Sequence, residues 1–139
     1  MEDQKTLEPN PYKSRAGLKR LLPATAYSLN GIRAAWKHEA AFRQEVMLGA
    51  VLALSSIWLA PSLTLWILMN ISLLLVLCME IVNSAIEALA DAITTDHHPL
   101  LGRAKDLGSA AVMLSLLIAT GVWLAALYMR FMDTMPIPT

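Results

Sequence analysis

Hydrophobic and polar positions divide this chain into one amphipathic stretch followed by three apolar ones. Leu18, Leu22, Ala26 (or Thr25), Leu29, Ile32 and Trp36 recur at three- and four-residue steps, while Lys19, Arg20, Tyr27, Asn30 and Lys37 fall largely elsewhere on the wheel. The pattern predicts a basic amphipathic helix over about 16–36, of the kind that lies in a membrane interface. A solvated basic helix packed on a partner would give the same wheel. Pro23 either begins this helix or kinks it. Val46 to Ala60 carries no charge and predicts a first span once it is extended back to about 38. Pro61-Ser62 makes an uncharged turn, and Leu63 to Met79 predicts a second span that continues to about 93. Thr94 to Gly102 reads as a polar loop broken by Pro99 and Gly102. Leu107 to Met129 is a third uncharged run, predicting a span over about 105–130. Residues 1–12 read as a disordered lead and 132–139 as a tail, around a single domain at 13–131.

Composition agrees with this pattern. Of 139 residues 56% are hydrophobic, so the fold class is all-α integral membrane: an N-terminal amphipathic surface helix plus three transmembrane helices. Eleven basic and eleven acidic residues balance, and no cluster suggests nucleic-acid binding. MEDQKTLEPNPYK, polar and acidic, does not read as a signal peptide. The single Cys78 excludes an intrachain disulfide. Eight Lys and Arg precede the first span, none lie in the first turn, two lie in the second loop and one follows the third span. The positive-inside rule therefore puts the N-terminus and the second loop in the cytoplasm.

One stretch does not fit a bland span. MEIVNSAIEALAD, Met79 to Asp91, places Glu80, Asn83, Glu87 and Asp91 on one helical face about 80° wide. Acids at membrane depth are costly and are functional hypotheses by default. Counting about 1.5 Å per residue from the first turn puts Glu39 roughly 31 Å inward, and Glu80 and Glu87 roughly 26 and 36 Å. Ser109, with Lys105 and Asp106 before it, enters the third span at the same boundary. A site in this layer would meet a water-soluble cofactor and a lipid headgroup together.

The residue types suit metal and phosphate. Mg²⁺ takes one or two carboxylates plus phosphate oxygens and waters, and Glu39 with Glu87 is the best pair for it. Glu80, deeper and desolvated, suits a general base. Arg20, Lys105 and either Arg33 or Arg43 are placed to neutralise phosphate charge. Duller roles stay open: Glu39 and Arg43 are also an i,i+4 pair, and Glu87 or Asp91 could pair with Lys105. Trp36, Trp58, Trp66 and Trp123 read first as interface anchors or packing. There is no glycine-rich phosphate loop and no protein-kinase motif set, so ATP, if bound, is held by metal, arginine and lysine contacts.

AYSLNGIRAAWKHEAAFRQE at Ala26 to Glu45, EIVNSAIEALAD at Glu80 to Asp91 and GRAKDLGSAAV at Gly102 to Val112 resemble the prokaryotic diacylglycerol kinase family, over about Arg20 to Tyr128. The resemblance implies ATP- and Mg²⁺-dependent phosphorylation of diacylglycerol to phosphatidic acid in a bacterial inner membrane. It also implies a homotrimer with active sites shared between subunits. By that analogy Glu80 is the catalytic base, and Glu39 and Glu87 are the metal ligands. Arg20, Tyr27, Asp96, His97, His98, Lys105 and Asp106, with Glu39 and Glu87, contact the nucleotide. Arg20, Arg33, Trp36, Glu45, Glu80, Ser109 and Trp123 face the lipid substrate, and Asn83 and Asp91 support the site. The chain departs from the pattern at Pro23, at Ala26 where a glycine is expected, at His38 before Glu39, and at His97 in the loop.

Two rivals differ in testable ways. A kinase of undecaprenol or another lipid alcohol belongs to the same broader family, but EAAFRQE is unlike the sequence associated with those relatives. A small proton-coupled transporter would place its acids near the midplane and give Lys105 no role.

Overall fold

The computed structural model describes residues 21–132. The expected lead at 1–12, the start of the amphipathic helix from 16 to 20, Arg20 itself and most of the tail lie outside the described residues. Four helices follow one another, α1 (Leu21–His38), α2 (Ala40–Leu59), α3 (Leu63–Ile93) and α4 (Pro99–Met132), and the described residues contain no strand. The all-α class holds: α2, α3 and α4 are each long and apolar enough to cross a membrane. The chain divides into two compact units, Met1–Arg33 and Ala34–Thr139.

In the first unit the described residues are the opening of α1. Its bonds are local: Ser28 Oγ donates to the Ala24 carbonyl at 3.0 Å, and Arg33 Nη1 donates to Asn30 Oδ1 at 3.3 Å. Leu22, Leu29 and Ile32 are exposed.

The second unit is a bundle in which α3 packs chiefly on α4 and next on α2. Ser62 caps α3, its Oγ accepting from the Leu65 N–H at 3.3 Å, so the Pro61-Ser62 turn needs no charge. The core lies at this turn end, where Met69, Trp123 and Ala126 are buried against Leu52, Leu59, Leu65 and Leu73. Trp123 is thus an interior packing residue rather than an interface anchor. Trp58 and Trp66 are exposed, as are Leu48, Val51, Leu54 and Ile57, leaving an apolar surface that only lipid or other helices would cover.

One boundary differs from the reading of the sequence. The loop after α3 is shorter than Thr94 to Gly102, because α4 begins at Pro99 rather than near 105. Proline suits a first helical turn, where its missing N–H has no partner to lose. The expected gap between the surface helix and the first span falls at Glu39, whose backbone is extended (φ −102°, ψ 114°) between α1 and α2.

One polar pair crosses the apolar part of the bundle. Asn70 Nδ2 donates to Ser56 Oγ at 3.0 Å and to the Trp66 carbonyl at 2.8 Å, and Ser56 Oγ donates to the Ala53 carbonyl at 2.7 Å. Replacing Asn70 by Leu leaves the Ser56 hydroxyl with its own partner. Such membrane hydrogen bonds average about 0.6 kcal/mol, and a loss of that order in reversible unfolding from detergent is the expected result.

Candidate functional site

Burial along α3 grades the acidic stripe. Glu80 is 6% exposed and Asn83 9%, Glu87 is half-buried and Asp91 is exposed. One face therefore runs from the bundle interior to its solvent end, as four polar residues at 3, 4 and 4 spacing require. Three of the four positions have a partner. Asn83 Nδ2 donates to Glu87 Oε1 at 2.9 Å, one turn along the helix. Lys105 of α4 donates to Asp91 Oδ1 at 2.5 Å, an ion pair between two partly exposed side chains.

Glu39 joins this stripe from a different element. It occupies the N-cap position of α2, but its side chain makes no capping hydrogen bond, so its carboxylate is left available. The break is held by Arg43, whose Nη1 donates to the Trp36 carbonyl at 2.9 Å and the Lys37 carbonyl at 3.3 Å. These are carbonyls of the last turn of α1, which lack intrahelical partners. Arg43 therefore caps α1, and its side chain makes no ion pair with Glu39, to which it is joined only by its backbone N–H donating to the Glu39 carbonyl at 3.4 Å. Glu80 lies within coulombic reach of both Glu87 and Glu39, and Glu45 within reach of Glu80. Two helices, α2 with its N-cap residue and α3, thus bring four carboxylates into one layer.

Two cavities flank that layer. The larger, about 300 Å³, runs between α2, α3 and α4 and is almost wholly apolar. Glu45 and Leu77 line one end, and Leu52 and Trp123 lie further toward the turn. Glu45 Oε2 and Trp123 Nε1 are both buried without a hydrogen-bond partner. The smaller, about 200 Å³, lies at the open end, where Asp91, Asp96, His97, His98 and Lys105 line it. Asp96 is fixed by its own N–H, which donates to Thr94 Oγ1 at 3.0 Å.

The remaining expected residues fall outside these groupings. Ser109 and Asp106 are exposed on α4, Trp36 is exposed on α1, and Tyr27 and Arg33 are exposed in the other unit. Arg20 lies outside the described residues. Gly108 drew no notice in the sequence, yet it is buried directly against Asn83. Its only signal was its place inside the block GRAKDLGSAAV.

The carboxylates suit a cation of the Mg²⁺ kind. Among the described residues no cluster of three or more His, Cys, Asp or Glu side chains is set to enclose a metal. Mg²⁺ does not need one, since it takes one or two carboxylates and fills its octahedron with phosphate oxygens and water. Glu39 has an unengaged carboxylate, and Glu87 keeps one oxygen beyond its bond to Asn83.

Fold and site together define a polytopic helical membrane protein that gathers acids at one end of its bundle, beside an apolar cavity. Residues 26–127 match the family model described as prokaryotic diacylglycerol kinase, and the chain belongs to that family. Its relatives agree. A diacylglycerol kinase of Escherichia coli (strain K12) is 45% identical over 118 residues, covering 83% of this chain and 94% of the relative. One from Pseudomonas aeruginosa is 46% identical over 117 residues, 84% of this chain and 95% of the relative. One from Helicobacter pylori (strain 26695) is 38% identical over 117 residues, 82% and 91%.

Proposed function

We propose that this protein phosphorylates diacylglycerol to phosphatidic acid, using ATP with Mg²⁺ at the cytoplasmic boundary of a bacterial inner membrane. The observation that carries the reading is the buried Glu80, within coulombic reach of Glu39 and Glu87, in a chain whose relatives bear the name diacylglycerol kinase. Charge asymmetry in the sequence supports the orientation, with the acid layer on the side where ATP is found. The family resemblance extends the proposal to a homotrimer with sites shared between subunits.

The chemistry follows from the layer. The apolar cavity, bordered by Glu45, keeps the acyl chains out of water, and the free hydroxyl of the lipid is assigned to Glu80, which lies within reach of Glu45 beyond the cavity's lining. Glu80 takes the hydroxyl proton as that oxygen bonds to the γ-phosphorus, and the bond from phosphorus to the β–γ bridging oxygen breaks to release ADP. Glu39 and Glu87 would hold the divalent cation, which when bound neutralises charge developing on the phosphates. Asp96, His97, His98 and Lys105 surround the open-end cavity and are assigned to the nucleotide, with Asp106 nearby in the sequence. Glu45, bordering the apolar cavity with an unpartnered oxygen, is assigned to the polar end of the lipid.

Offering diacylglycerol and undecaprenol separately, each with radiolabelled ATP, tests the acceptor. Label is expected in phosphatidic acid. Label in undecaprenyl phosphate alone would move the protein to the rival lipid-alcohol kinases, and ATP turnover independent of any lipid would contradict both.

A further inference from the structure

Of the glycines among the described residues, Gly31, Gly49, Gly102 and Gly121 have open space where a side chain would go, and Gly108 does not. A Cβ at Gly108 would stand 2.5 Å from Asn83 Oδ1, 3.4 Å from Asn83 Cγ and 3.4 Å from Ile86 Cδ1. Glycine weakens a helix interior relative to alanine, so a buried one in the middle of α4 needs a local reason. The reason here is the amide of Asn83. Its Nδ2 donates to Glu87 Oε1 at 2.9 Å, and its Oδ1 is buried with no hydrogen-bond partner. Turning the amide over would point its oxygen at the Glu87 carboxylate, two acceptors face to face. The donor must therefore face Glu87, and the carbonyl must face α4. Only a residue without a side chain leaves room for it there, with at most a weak Cα–H···O contact in return.

We infer that Gly108 and Asn83 form a positioning device for Glu87, in which the close approach of α4 fixes the Asn83 amide and the amide fixes the carboxylate. Neither residue touches the reacting atoms. The inference rests on the reading of Glu87 as a ligand of the nucleotide's divalent cation. An outer partner of this sort holds its ligand in one rotamer, and losing it typically costs about 10- to 100-fold in metal affinity or activity.

The test uses the full chain in mixed micelles as wild type, Gly108→Ala, Asn83→Ala and the double variant. Two readouts are taken: Mn²⁺ binding in the presence of ATP by electron paramagnetic resonance, and phosphoryl transfer against Mg²⁺ and against diacylglycerol. Gly108→Ala is expected to weaken Mn²⁺ and raise the half-saturating Mg²⁺ by about tenfold or more, with little change in the lipid KM. In the double variant the losses should not multiply, because both substitutions break the same contact. Unchanged metal dependence in Gly108→Ala, or losses that multiply in the double variant, would overturn the inference. If Gly108→Ala does not fold, Asn83→Ala relieves the contact instead of crowding it, and wild-type Mn²⁺ binding there overturns the inference equally. A wild-type chain that binds Mn²⁺ with ATP but phosphorylates no diacylglycerol contradicts the proposed function, while the Mn²⁺ titration still decides the positioning.

Discussion

Glu80→Gln is expected to lower turnover by about 10²- to 10⁴-fold, the range that a positioned general base contributes. The substitution keeps the shape of the side chain and removes its ability to take a proton from the attacking hydroxyl. Glu80 is 6% exposed and sits within reach of two other carboxylates, so the loss of one negative charge relieves repulsion. The variant should therefore resist thermal unfolding at least as well as the wild type, and ATP affinity should be retained. Turnover and nucleotide binding measured on the same preparation separate the two effects. A variant that folds, binds ATP and turns over at the wild-type rate would remove Glu80 from the role of base.

Glu87→Gln is expected to act through the metal. Asn83 Nδ2, which donates to Glu87 Oε1 at 2.9 Å, would find the same oxygen in a glutamine, so the rotamer survives while the charge goes. Losing a carboxylate ligand from a site built of two should lower activity at fixed Mg²⁺ by about 100-fold or more, with partial recovery as Mg²⁺ is raised. The lipid KM should move little, because the apolar cavity does not include Glu87. Mg²⁺ titrations of both proteins check this. An unchanged Mg²⁺ midpoint would transfer the ligand role away from Glu87.

Legibility in the sequence varied from residue to residue for physical reasons. The long α3 followed from an uncharged run that ends in a one-sided polar stripe, and both features are periodic along a single helix. A break between surface helix and first span was expected at about 37 from the change of pattern, but its position at Glu39 was not marked, because WKHEAAF contains no helix breaker. It depends on Arg43 reaching back to carbonyls of α1, a contact between elements. Trp123 was open to being an interface anchor because lipid and a helix-packed interior are equally apolar; only packing around Met69 and Ala126 placed it inside. Start of α4 at Pro99 was hidden by a rule that cuts both ways, since proline ends one helix and opens another. Gly108 was illegible for the plainest reason. A glycine in a helix does not say what a side chain there would strike, and the answer lies on α3.

The same division runs through the site. Glu80, Asn83, Glu87 and Asp91 share one face by spacing alone, while Glu39 could be assigned to their layer only through a depth estimate along a different helix. Lys105, read both as a phosphate contact and as a structural partner, is paired with Asp91 here. That pair is partly exposed on both sides and contributes little to stability, so it would not by itself hold Lys105 away from another charged partner at the adjoining cavity.

The central claim is phosphoryl transfer from ATP to diacylglycerol by this chain, and one assay addresses it directly. Purified protein in mixed micelles with diacylglycerol, γ-labelled ATP and Mg²⁺ is expected to form labelled phosphatidic acid, in amounts that require both the lipid and the cation. Absence of labelled phosphatidic acid from folded protein supplied with all three would contradict it.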